Sequence, residues 1–458
     1  MSAPEIPFAD QAVAPIEMDA TDPTHLSGTS RFAAACVAVA AAVSLMSCTS
    51  EGAPTETEER DNGSVAAAPL ATPTPRPELP NAPCEVFNLN TLTRAENIQE
   101  HKDKAKACAQ VMKSGSVALI TSGIPLKQAQ KIADAIEQDM PQETNGKLNP
   151  EIKAIQASDA AEKRWKDTIA QTGCVDISNP ETFASYSADA AMPELAKYDH
   201  ILSLTDSLAC TPKTPGVASN KGGRHAEVFV PAVKKSVLAG GNPDDVFKQI
   251  GGHELGHQYG LGHDGEIVSE QPGGFYSPVV LVGPKVTDIL GLAAKGKYEE
   301  YATGPMMGAP VQKVGSTTGY DVQPIDPVQQ NCLNWPAVAL NGPKADKAET
   351  VGSKGVTITA KEAADGKFAY VDLDTPIEIK PEGDTAMPPV GGIAIVPRVE
   401  NDGSKKIYES DVVLTADEGC TVVSMGYTDG PDKWSFQAGG KTYKVDLNAN
   451  RIKVSSAS

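Results

Sequence analysis

The sequence predicts an α+β protein whose folded part ends in a β-rich C-terminal domain. Two observations carry that prediction. Strand-like and helix-like runs alternate from Ser116 onward, and from about residue 340 the chain turns to short β-rich runs separated by Gly, Asp and Asn. A third observation is compositional. Hydrophobic residues make up 40% of the 458 and charged residues 22%, enough apolar material for a sizeable core and incompatible with global disorder. Acidic residues outnumber basic ones 59 to 40, a net charge of -19, and such a surface repels phosphate backbones, so nucleic acid is not an expected partner.

Taken in order, the chain opens on an export signal. Residues 32–46 (FAAACVAVAAAVSLM) are apolar and follow Arg31. They are too short for a spanning helix, which needs roughly 20 apolar residues, but suit the hydrophobic region of a signal peptide. Residues 1–47 are therefore expected to be a signal peptide with a long, acidic leading segment. Its end, Leu45-Met46-Ser47-Cys48, resembles the bacterial lipoprotein signal, in which small residues admit the signal peptidase and the cysteine thiol receives a lipid. The alternative is an ordinary secretory signal, leaving a secreted protein. Residues 48–83 are rich in Pro, Thr, Glu and Ala, with almost no large apolar side chains. They read as an extended, lipid-anchored linker holding the folded part off a membrane.

Of eight cysteines, Cys36 lies in the signal and Cys48 at its end. Cys84, Cys108, Cys174, Cys210, Cys332 and Cys420 remain, an even number in an oxidising compartment, and are expected to form disulfides. The sequence does not choose among their pairings.

The first folded domain is expected over 84–338 and a β-sandwich-like domain over 339–458. Residues 116–121 (SVALIT) read as a strand. Residues 125–139 read as a helix, with Leu126, Ala129, Ile132, Ala133 and Ile136 on one face. A further helix is expected around 151–170, and strands at 200–206 and 226–230. Asn242-Pro243-Asp244-Asp245 should start a helix: Asn caps, Pro suits the first turn, and the aspartates favour the positive helix end.

That helix carries the chemistry. It contains His253-Glu254-Leu255-Gly256-His257, and the run continues through Gly260 to His263. Histidines four apart stand one above the other on one helical face and can chelate a single ion. Glu254 then lies beside the ion rather than on it, where a general base for an activated water belongs. An unbroken helix would point His263 away, so Gly260 is the residue expected to end the helix and turn the chain back. Three neutral imidazoles leave a fourth position open on zinc, the pattern of a catalytic rather than a structural site.

The complete H-E-x-x-H-x-x-G-x-x-H pattern resembles the metzincin clan of zinc endopeptidases. The resemblance implies a mixed twisted sheet with an active-site helix, one catalytic Zn2+ held by His253, His257 and His263, Glu254 as general base, and protein or peptide substrates. It also implies a methionine-bearing turn beneath the metal, for which Met307, before Gly308, is the candidate. Within the clan, His257-Gln258-Tyr259-Gly260-Leu261-Gly262-His263, a tyrosine before the Met-Gly turn, and Gln330-Asn331-Cys332-Leu333-Asn334-Trp335 are similar to the gametolysin-type group. Asp264 is more typical of adamalysin-like and snapalysin-like members. Residues 226–230 would be the edge strand that pairs with an extended substrate. The expectation is thus a membrane-anchored, extracytoplasmic zinc metalloendopeptidase. The alternative is a non-catalytic surface binding or adhesion lipoprotein on a metalloprotease scaffold, for which Glu254 would have no use.

The anchor is testable through Cys48. Two or more acyl chains give stable membrane attachment where one is marginal. Cys48→Ser should release or misprocess the protein; co-fractionation with membranes at an unchanged N-terminal mass would dismiss the lipid.

Overall fold

The computed structural model describes Cys84 and residues 102–457, apart from 212–213, 220–222, 238–241, 272–274, 279–285, 303–304, 309–310, 313–319, 322–323, 342–345, 384, 401–404, 417–419 and 430–432. The signal, Cys48 and the linker to residue 83 lie outside the described residues.

α1 (Lys102–Ser114) leads into β1 (Ser116–Thr121), buried from Val117 on. α2 (Leu126–Glu143) buries Ala129, Ile132, Ala133, Ile136 and Met140, a three-to-four spacing, and continues past the predicted end at 139 through Pro141. Residues 151–170 are not one helix. They divide into β2 (Glu151–Gln156), which buries Ile152 and Ala154 in strand alternation, and α3 (Asp159–Ile169), capped by the Ser158 side chain. The two-residue period of EIKAIQ decides for a strand there.

α4 (Ala184–Ala191), β3 (His200–Thr205), β4 (Gly216–Ala218), β5 (His225–Phe229) and α5 (Val230–Ser236) precede α6 (Pro243–Gln258). The first sheet has the order β2-β1-β3-β5-β4. Its strands are parallel except β4, which runs antiparallel to β5. The edge beside α6 is therefore Gly216–Ala218. Residues 226–230, expected at the edge, are covered by β4 through the Gly216↔Val228 register.

α6 starts as its sequence dictates: the Asn242 side chain accepts from Asp244 N, with Pro243 at the first turn. Nearly all of it is buried, so it has structure on every side. α2 approaches closely at Gly251, where a Cβ would lie 2.8 Å from Ile136 Cδ1.

After α6 come β6 (Asp264–Gln271), β7 (Phe275–Pro278), β8 (Val286–Asp288), α7 (Ile289–Lys295), β9 (Lys297–Glu299), β10 (Val311–Gln312), β11 (Tyr320–Asp321), α8 (Pro327–Cys332) and α9 (Trp335–Asn341). The C-terminal part holds β12 (Ala348–Thr350), β13 (Val356–Thr359), α10 (Ala360–Ala364), β14 (Phe368–Ile377), β15 (Val390–Val399), β16 (Ile407–Ala416), β17 (Val422–Asp429), β18 (Lys433–Ala438), β19 (Lys441–Asn448) and β20 (Arg451–Ala457).

These strands form two large sheets, β12-β14-β15-β16-β17-β6-β7 with β9 also on β6, and β13-β20-β19-β18-β8. Alternation along β15 sorts its two faces. Ile393 and Ile395 join Phe436, Val445 and Ile452 in a core between the two sheets. Ala394 and Val396 join Leu255, Tyr259, Met306 and Met307 in the core of the first part. A sheet covered on both faces favours near-continuous apolar runs, and residues 390–397 are buried without interruption. The C-terminal part is β-rich as expected, and its pairing reaches back across residue 339: Val422 is in register with Asp264, and Ser435 with Val286.

Three disulfides join Cys84 to Cys108, Cys174 to Cys210, and Cys332 to Cys420, which fits an extracytoplasmic protein. Among the described residues no helix is long and apolar enough to cross a membrane. The bridge from Cys332 to Cys420 spans 88 residues and ties the end of α8 to the turn before β17. Replacing both cysteines by Ser should destabilise the full chain by about 2–5 kcal/mol in a denaturant titration, the usual range for a native bridge. A midpoint equal to wild type would show that the bridge constrains nothing.

Candidate metal centre

Three imidazoles converge. His257 Nε2 lies 3.1 Å from His253 Nε2 and 3.1 Å from His263 Nε2. One nitrogen from each ring falls within 4.8 Å of the others, and all three residues are buried.

The chain reaches this arrangement by ending α6 sharply. Gly260 adopts φ +91°, a conformation L side chains resist. Its N–H donates to His257 O and that of Leu261 to Gly256 O, the two bonds of a Schellman motif. The turn brings Leu261 O to 2.7 Å from His257 Nδ1. Met306 O lies 3.0 Å from His253 Nδ1, and Glu300 Oε1 2.9 Å from His263 Nδ1.

These partners decide the tautomers. A carbonyl oxygen can only accept, so the Nδ1 of His253 and of His257 must carry the hydrogen. In a neutral ring the lone pair then sits on Nε2. Burial, and then the neighbouring His263, push His253 down to about 3, so it stays neutral at ordinary pH. Neutral Nε2 atoms only 3.1 Å apart present lone pair to lone pair, which a shared cation relieves. The donor set therefore fits a metal ion that prefers imidazole nitrogen; zinc is such an ion, and three histidines leave it an open position.

The segment before Gly308 lies against α6. Gly308 N donates to Pro305 O at 2.9 Å, making a tight turn, and Met307 O accepts from Asp264 N at 2.9 Å. Met306 and Met307 are both fully buried. A Cβ on Gly256 would lie 2.3 Å from Met307 Sδ, so this glycine between the two helical histidines makes room for the methionine. The contact places Met307 directly against the helix that carries His253 and His257.

Glu254 is fully buried. Its carboxylate lies against the edge strand: a Cβ on Gly216 would stand 2.5 Å from Glu254 Oε1 and 2.9 Å from its Cγ. Only a residue without a side chain admits Glu254 there. Asp264, next to His263, is buried as well. Burial first, then Asp326, Glu266 and Asp411, hold its carboxyl well above the usual range.

Two other histidines stand apart from the three-histidine cluster. His225 Nε2 pairs with Asp189 at 3.0 Å, and His200 packs edge-on against Tyr259 with ring centroids 4.7 Å apart. Sequence reasoning missed Glu300, which belongs to no motif and reaches His263 only through the pairing of β6 with β9. It also missed Gly216, which meets Glu254 only across space. Tyr301, the tyrosine before the Met-Gly turn, has its ring centroid 4.7 Å from that of His263. Gln329 was missed too; its Nε2 donates to Gly262 O at 2.9 Å and lies 3.3 Å from His263 O.

No protein-family model and no curated protein matches the chain. Among solved structures, archaemetzincin from Methanopyrus kandleri is similar in part. It is 20% identical, the match covers 33% of this chain and 76% of that one, and the TM-score is 0.22. The geometry of the centre therefore stands on its own residues.

Proposed function

We propose that the protein is an exported zinc metalloendopeptidase, anchored to a membrane by lipid on Cys48, that cleaves protein or peptide substrates. The observation that carries the reading is the convergence of His253, His257 and His263 through Nε2, the first two on a helix that also buries Glu254. Zinc on those nitrogens would supply a Lewis acid that polarises a scissile carbonyl and lowers the pKa of a water.

The chain's own residues do the rest. Glu254 follows His253 by one position, so helix geometry sets it beside the ligand face rather than on it. Its carboxylate is the base that takes the water's proton and hands it to the leaving amine. β4 runs past Glu254 at Gly216 and is the antiparallel edge of the sheet, so an extended peptide added to that edge would lie over the base. Met307 at Gly256 supports the ligand helix from the side away from the sheet edge.

Glu254→Gln keeps size and shape but removes the base. Bound zinc should stay near one per chain, while peptidase turnover falls roughly 10²–10⁴-fold. His257→Ala should lose metal and turnover together, as should treatment with a chelator. Near-wild-type turnover in Glu254→Gln at equal zinc would sink the mechanism, and a zinc-loaded wild type inert toward every unfolded substrate would favour a binding protein.

Gly216→Ala tests the placement of the base separately. The added methyl must push the Glu254 carboxylate away by a fraction of an ångström or more. Displacements of this order cost about 10²-fold in kcat, with KM and zinc content little changed. Wild-type kcat in that variant would show that Glu254 acts from elsewhere.

A further inference from the structure

His253 and His257 are held by backbone carbonyls, Met306 O and Leu261 O. His263 is held by a side chain, Glu300 Oε1, 2.9 Å from its Nδ1. The difference has a structural origin. His253 and His257 are fixed to a helix, whereas His263 lies beyond the turn at Gly260, on a stretch with no helical ladder to set its ring.

The carboxylate is brought there by backbone pairing on both sides. Glu299 is in register with Glu266 on β6, and Ala302 N donates to Asp264 O at 2.6 Å. Residues 299–302 are thus stitched to the residues that follow His263. Gly265 lets β9 come this close, since a Cβ there would lie 2.8 Å from the Tyr298 ring and 3.0 Å from Glu299 O. The Glu300 side chain is 30% exposed against 6% for His263, so the pair sits at the rim of the centre.

We propose that Glu300 is a positioning residue of the metal centre: its carboxylate accepts the Nδ1–H of His263 and aims Nε2 at the point where the other two ligands converge. The inference rests on the zinc reading above. An ionised acceptor binds N–H more strongly than a carbonyl does, and a carboxylate behind a histidine both fixes its tautomer and strengthens it as a ligand.

The test uses the full chain and three variants: Glu300→Ala, Glu300→Gln and, as a control of equal charge change, Glu299→Ala, whose carboxylate pairs with Lys297 instead. Zinc affinity is measured by competition with a chromophoric chelator, and the visible spectrum is recorded with cobalt(II) in place of zinc. Glu300→Ala should bind zinc about 10–100-fold more weakly, the usual effect of losing such a partner. Glu300→Gln keeps an acceptor oxygen and should recover part of that loss, with a cobalt spectrum shifted from wild type. Glu299→Ala should match wild type in both measurements. The inference is overturned if both Glu300 variants bind zinc within twofold of wild type with unshifted cobalt spectra, or if Glu299→Ala loses as much affinity as they do. Should Glu300→Ala fail to fold, the isosteric Gln variant decides alone by the same criterion. A wild type that binds no zinc overturns this inference and the metallopeptidase reading together. A zinc-binding wild type beside unaffected Glu300 variants overturns this inference only.

Discussion

Three buried imidazole lone pairs turned toward one point are the constraint around which the first part of the molecule is arranged. Lone pairs only 3.1 Å apart repel one another. Holding them there requires every Nδ1–H to be committed elsewhere. The Schellman turn at Gly260 delivers one acceptor, the turn before Gly308 a second, and the β6–β9 pairing a third. Each comes from a different stretch of chain, so the ligand set forms only when the surrounding elements have docked.

The same constraint explains why the β-rich part is not a loose appendage. The strand that begins directly after His263 is β6, and its parallel neighbour is β17. Val422 N donates to His263 O at 3.1 Å, so the backbone of the third ligand is held by a strand more than 150 residues further on. Gln329 adds its amide to Gly262 O and lies 3.4 Å from Cys420 O, and the Cys332–Cys420 bridge closes the same junction. The opposite face of that sheet buries against Leu255, Tyr259 and the two methionines. Adhesion by the C-terminal strands, in the rival reading, would have to use surfaces other than these.

How much of this was legible in the sequence follows from the range of each interaction. The start of α6 at Asn242, the helical pairing of His253 with His257 and the turn at Gly260 are local, and residue type alone indicates them. β2 was also legible in principle, since EIKAIQ alternates, but a window of 20 residues merges it with the helix that follows. The edge position of β4 was not legible: a three-residue strand carries almost no periodic signal, and only its pairing with β5 makes it the edge. Glu300 and Gly216 matter because of what lies across space from them. Nothing in the neighbouring sequence distinguishes Glu300 from Glu299.

Charge balance ties these residues into one device. A dication on three neutral histidines would bring two uncompensated positive charges into a buried site, and buried charge is costly unless it is paired. The histidines themselves supply none of the compensation. Glu300 meets His263 at the rim, and Glu254, next to His253 in the chain, is buried beside the sheet edge. Glu254 in turn would be an expensive buried anion without a cation beside it. In the proposed function a metal and Glu254 would stabilise each other, which fits a carboxylate kept fully buried on this helix. The two acids also differ in environment, Glu254 fully buried and Glu300 30% exposed, which suits the proposed division between a base and a positioning residue.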